Sequence, residues 1–155
     1  TIGKNLAKKL KYNFIDIDGL IEAKEGDSIN YIFRNKGEDY FRKLESETTL
    51  QMLKKDNSII SLGGGAFLNK SIRTSIKKKS LSFWLDVDIK ELIKRLKRTK
   101  KRPLLYKKNI SDTIEKMYLV RKKIYIESDF RIKCDSLDSK EIVDKILKLY
   151  ENAGN

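Results

Sequence analysis

Histidine is absent from this chain, and cysteine and proline occur once each in 155 residues. Without histidine there is neither the commonest zinc ligand nor the commonest general base near neutral pH. A lone cysteine, Cys134, excludes an intramolecular disulfide framework, and its neighbours in a short strand suggest an inert core thiol. No apolar run approaches the length of a membrane span or a signal peptide, so a cytoplasmic protein without membrane contact is expected. Acidic residues are in the minority, 22 against 35 basic, for a formal net charge of +13. That excess either solvates the surface or attracts anions: nucleic acid, phosphates or an acidic small molecule. The length suits one domain spanning 1–155.

Glycine, also sparse at eight residues, is concentrated where it matters most, in I-I-S-L-G-G-G from Ile59 to Gly65. Three consecutive glycines lose backbone entropy on folding, so they need a compensating use, such as close approach of the backbone to a ligand. After a buried strand in an open α/β sheet, that use is most often a site at the strand's carboxyl end; a tight turn is the plain alternative. The pattern alternates elsewhere too. It predicts helices over Ile2–Leu10, Leu20–Lys24, Ile29–Asn35 (capped by Ser28), Glu38–Lys54 and, after Asn69, to Ile76. Further helices run from Asp88 to Leu96, from Ser111 to about Glu127 and over Ser139–Tyr150. Strands are expected at Phe14–Asp18, Ser58–Leu62, Leu81–Leu85 and Phe130–Cys134. This order argues a parallel sheet with helices on both faces, an α/β fold.

Four groups of residues could carry chemistry. Asp16 and Asp18, two apart on the predicted strand, would share a face with Cα atoms about 6–7 Å apart. They suit magnesium and a proton acceptor, or simply a helix cap and an exposed carboxylate. Arg42 and Glu45 lie i,i+3 on a helix, as a common ligand site or as an ordinary ion pair. Arg121 falls on the apolar stripe of Ile114, Met117, Tyr118, Ile124 and Tyr125, where a guanidinium needs an anion or must reach to solvent. Between Lys94 and Lys108 nine basic residues occur with no acidic one, around R-P-L-L at Arg102–Leu105. That segment reads as a lid over phosphates, a solvated face or a nucleic-acid patch, the last disfavoured because Tyr106 is its only aromatic.

Taken in order, F-I-D-I-D-G-L-I-E (14–22), G-E-D-Y-F-R-K-L-E (37–45), S-L-G-G-G-A (61–66), K-R-P-L-L (101–105) and R-K-K-I-Y (121–125) resemble the shikimate kinase family. The resemblance spans nearly the whole chain. It implies phosphorylation of the 3-hydroxyl of shikimate by MgATP, on the way to chorismate and the aromatic amino acids. The implied fold is that of the nucleoside monophosphate kinases: a five-stranded parallel sheet of order 2-3-1-4-5 between helical layers. A shikimate-binding region would cover about 19–55 and a lid about 99–111. Asp18 matches the residue that binds shikimate hydroxyls and takes the proton, and Asp16 the one that meets Mg2+ through water. Arg42 and Arg121 match the arginines on the shikimate carboxylate, Glu45 the residue that orients Arg42, and Gly63, Gly64 and Gly65 the loop against the ring. For ATP, Arg102 matches the lid arginine at the phosphates, Arg95 the one beside adenine, and Asp135 and Ser136 the loop near the purine.

The family begins with a strand and G-x-x-G-x-G-K-[ST], whereas Thr1-Ile2-Gly3-Lys4 resembles the residues just after that motif. The expectation is therefore a natural protein with roughly 15–20 further N-terminal residues, the central strand among them, and negligible kinase activity without them. A monomer is expected. The competing readings are another small P-loop kinase, such as a gluconate kinase-like enzyme, and a basic nucleic-acid-binding module. The latter predicts tight, salt-dependent binding to DNA or RNA.

Overall fold

A computed structural model describes residues 1–97 and 110–154, with side chains for 1–94 and 112–154. Helix α1 (Ile2–Leu10) leads into β1 (Asn13–Asp16), then α2 (Ile17–Glu25), α3 (Ile29–Asn35), α4 (Glu38–Met52) and β2 (Ser58–Ser61). A single 3-10 turn (Ala66–Leu68) precedes α5 (Lys70–Lys79), β3 (Phe83–Asp86) and α6 (Ile89–Lys97). Helix α7 (Ile110–Tyr125), β4 (Phe130–Lys133) and α8 (Ser139–Ala153) complete the order. Two of the predicted caps act where the sequence places them. The Ser28 hydroxyl accepts from the Tyr31 amide, and the Asn69 side chain accepts from the Ser71 and Ile72 amides. Helix α8 carries a capping box between Asp138 and Glu141.

Period-two alternation covers both faces of the strands. On β2, Ile59 packs with Leu6, Ile132, Val143 and Ile146 under α1 and α8. Its neighbour Ile60 packs the other way, against the α4 core and the cluster of Leu53, Ala66, Ile72 and Ile76. Adjacent residues therefore serve opposite helical layers, the α/β/α arrangement expected. Cys134 is buried, as expected of a core thiol.

Three expectations shift. The predicted strand Phe14–Asp18 ends at Asp16, and Ile17 already begins α2, so Asp18 and Gly19 lie on a helix. Asp16 and Asp18 are thus not partners on one strand face. The helix prevails because Ile17 and Ile21, one turn apart, are both fully buried. Gly19 tolerates it on the exposed side, where a Cβ would meet only Asp16 at ordinary distance. The third strand starts at Phe83 rather than Leu81, since the Asp129 carboxylate takes both the Ser82 amide and hydroxyl. Finally, Ser111 lies inside the first turn of α7, not ahead of it.

Among the described residues the strands form two parallel pairs. Strand β1 pairs parallel with β2, Asn13 opposite Ser58 through Asp16 opposite Ser61; β3 pairs parallel with β4, Phe83 opposite Phe130. The expected order 2-3-1-4-5 has its outer pairs here, and no strand among the described residues takes the central place. A cavity of about 1260 Å3 lies there, lined by Ile59 and Leu62 of the β2 side, Phe83 and Leu85 of β3, and Leu6 and Ile146 from the helices. Open strand edges beside apolar walls favour association and loosen packing. A polypeptide of these 155 residues alone is expected to bind a hydrophobic dye and to melt over a broad range. A sharp, dye-free calorimetric transition would show that the slot closes in solution.

Candidate active site

The glycine loop is where the expected residues meet. None of Gly63, Gly64 and Gly65 has a positive φ, so conformational freedom is not what requires them. Space is. A Cβ on Gly63 would lie 2.8 Å from Asp18 Oδ1 and 2.9 Å from Glu45 Oε1. On Gly64 it would meet Arg121 Nη1 at 2.9 Å, and on Gly65 the whole Arg42 guanidinium, with Nη1 at 2.3 Å. Real Cβ atoms do not approach so closely. Two arginines and two carboxylates, from α2, α4 and α7, are therefore laid directly against backbone.

Helix α4 delivers Arg42 and Glu45 from one face. Arg42 Nη1 donates to Glu45 Oε2 at 2.7 Å, and its Nε and Nη2 donate to Glu38 Oε1 at 3.2 and 3.1 Å. The guanidinium also lies over the Phe41 and Phe33 rings, 5.2 and 5.8 Å from their centroids. Burial draws the Arg42 pKa down, but the hydrogen bond and charge of Glu45, aided by Glu38, more than offset this and leave it raised. Burial pushes the Glu45 carboxyl up; Arg42 opposes the shift, Asp18 reinforces it and Arg121 opposes it. These four charges therefore feel one another. Glu38, the second carboxylate on Arg42, was visible in the sequence as an i,i+4 neighbour but was not singled out.

The two carboxylates are not equivalent. Glu45 is 3% exposed and Glu38 53%. Glu38→Gln should change stability by less than about 0.5 kcal/mol, as exposed pairs do. For Glu45 the raised folded pKa means that the native state holds its proton more tightly than the unfolded chain does. The contribution is full below the ordinary value of 4.5 and is lost as pH rises through the raised folded value. The wild type should therefore lose melting temperature relative to Glu45→Gln as pH is raised from 4.5 towards 7. A gain over that range would mean that the Arg42 pairing dominates instead.

Asp18 sits in the first turn of α2, where the helix dipole favours a carboxylate. Asp16, exposed at the carboxyl end of β1, lines an open cavity of about 360 Å3 with Lys4, Gly19 and Leu20. No group of three His, Cys, Asp or Glu residues among those described could hold a metal. A lone carboxylate still fits magnesium that keeps its waters and arrives on a nucleotide's phosphates. The Asp135 carboxylate accepts from the Asp88 amide at 2.5 Å, tying the loops that leave β3 and β4. Ser136 is exposed beside it. Arg102 and residues 99–109 lie outside the described residues, as does the Arg95 side chain on α6.

This assembly offers two guanidinium groups for a carboxylate and, across a flat glycine surface, an aspartate for a hydroxyl. Comparison with known proteins gives the family. The family model described as shikimate kinase matches residues 1–151. A shikimate kinase from Sulfurihydrogenibium sp. is 40% identical over 147 residues, covering 95% of this chain and 87% of its own. The enzyme from Aquifex aeolicus is 35% identical, covering 99% and 90%. Among solved structures, shikimate kinase from Acinetobacter baumannii in complex with shikimate superposes with a TM-score of 0.93 at 27% identity, covering 98% of this chain and 86% of that one. The Aquifex aeolicus structure gives 0.85 at 35% identity, with 98% and 89% covered. Matched from end to end in both sequence and backbone, the chain belongs to the shikimate kinase family, the enzymes that phosphorylate shikimate with ATP.

Proposed function

We propose that the Gly63–Gly65 surface and the side chains pressed against it form the shikimate site. Arg42 and Arg121 grip the substrate carboxylate as a pair of planar forks, and Glu45 holds the first fork at its angle. Asp18, on the Gly63 side, accepts the proton of the 3-hydroxyl and aims that oxygen at the terminal phosphate of ATP. Positioning and charge neutralisation carry most of phosphoryl transfer, so holding the substrate at both ends is the chief task of these residues. The observation that carries this reading is the convergence of Asp18, Arg121 and Arg42 on three successive glycines, one glycine each.

Arg102 serves the transferring phosphate, while Arg95 and the Asp135–Ser136 loop flank the adenine. Asp16 would hold Mg2+ through a water, and the ion would neutralise phosphate charge. The enzyme acts as a cytoplasmic monomer on shikimate and ATP, with no specific nucleic-acid partner and no membrane contact. Among the described residues no helix is long and apolar enough to cross a membrane. The test is ATP-dependent phosphate transfer by the full-length enzyme to shikimate and to gluconate, the substrate of the nearest alternative. Preference for shikimate by at least about 100-fold in kcat/KM is expected of a site that hydrogen-bonds its substrate. Equal transfer to gluconate would overturn the reading.

A further inference from the structure

The clamp described above is divided between two parts of the molecule. Asp18, Arg42, Glu45 and the glycine loop belong with β1 and β2, whereas Arg121 rides on α7 between β3 and β4. Those strand pairs share no ladder among the described residues. The Tyr125 hydroxyl donates to the Gly64 carbonyl at 2.5 Å, one helical turn beyond Arg121 on the same face of α7. Its ring meets Phe67, just after the glycine loop, edge-on at 6.0 Å and 78°. It meets Trp84 of β3 in the same way at 5.9 Å and 72°. One side chain thus touches the glycine loop, the segment that follows it and the opposite strand pair.

The far end of this chain of contacts is itself fixed. Arg131 lies 4.8 Å over the Trp84 ring, and its Nε and Nη2 donate to the buried Asp86 carboxylate at 2.8 and 2.6 Å. Tyr118, on α7, reaches the same carboxylate at 3.4 Å. Helix α7 is therefore seated on β3 and β4, and Tyr125 refers that seat to Gly64. A further side-chain bridge near this end of α7 joins Glu127 to the mostly buried Arg73 at 3.4 Å and to the exposed Lys77 at 3.2 Å.

We propose that Tyr125 is a positioning residue for shikimate, its hydroxyl bond to the Gly64 carbonyl holding Arg121 in register with Arg42 across the two strand pairs. This rests on the carboxylate-clamp reading. Tyr125→Phe keeps both ring contacts and removes only the hydroxyl. In titration calorimetry on the full-length enzyme it should raise the shikimate Kd about five- to tenfold, the effect of one hydrogen bond. The KM for ATP should stay unchanged. Because Tyr125 acts through Arg121, the same substitution in an Arg121→Ala background should add less than about twofold. An unchanged Kd in Tyr125→Phe overturns the proposal. So does an equal penalty with and without Arg121, or a parallel rise in the KM for ATP, either of which marks general loosening. If Arg121→Ala itself leaves the Kd unaltered, the clamp reading fails first and the proposal falls with it.

Discussion

Gly65→Ala is expected to abolish tight shikimate binding while leaving the protein folded. The residue's φ of −103° and ψ of −21° are open to alanine, so the backbone bears no strain. The added Cβ would lie 2.3, 2.7 and 2.8 Å from Nη1, Cζ and Nη2 of Arg42. The guanidinium is the free end of a flexible side chain and can swing aside, breaking its 2.7 Å bond to Glu45. A misplacement of about 1 Å in a substrate-orienting group can lower turnover about 100-fold, and a comparable rise in Kd is expected here. The fold should lose only about 1–2 kcal/mol, from a buried Glu45 left with a poorer partner. Calorimetric titration together with a thermal melt separates the two effects. Unaltered affinity would show that Arg42 does not bind the carboxylate. Wholesale unfolding would show that the glycine is needed for the fold rather than for the clamp.

Arg121→Ala should have the second largest effect, and of a different kind. Its guanidinium is half-buried beside Gly64 and belongs with the other strand pair, so its loss leaves Arg42 and Glu45 in place. A charge-assisted bidentate contact contributes about 1.5–3 kcal/mol, which corresponds to a rise in the shikimate Kd of about 10- to 150-fold. Arg121→Lys should recover only part of this, because a point charge cannot reproduce the fork. The KM for ATP should be untouched in both variants. A lysine variant as good as wild type would reduce the role of Arg121 to simple charge.

Much of this site was legible before any fold was known. Asp18, Arg42, Glu45, Arg121 and the glycine triplet could be singled out from residue type and spacing. Their roles came only with the resemblance to the shikimate kinase family, and glycine alone left close backbone approach and a tight turn both open. Less legible was which atom met which. Strand alternation predicted Asp16 and Asp18 as neighbours on one face, yet burial of Ile17 and Ile21 drew residue 17 onward into a helix and turned Asp18 towards Gly63. Local pattern lost there to tertiary packing. Glu38 could have been found from its i,i+4 spacing to Arg42. Tyr125 closes the R-K-K-I-Y run, but its bond to Gly64 joins residues 61 apart and leaves no local trace.

By itself, then, the sequence determined the alternation of strands and helices, the apolar face of each and the identity of the chemical groups. These depend on periodicity and residue type, which are local. Only the tertiary structure decided that successive glycines meet different charged side chains, and that the arginine pair draws on both strand pairs of the described residues. Such relations depend on distances between segments far apart in the chain. No periodicity encodes them; they follow from how the layers pack around the glycine loop.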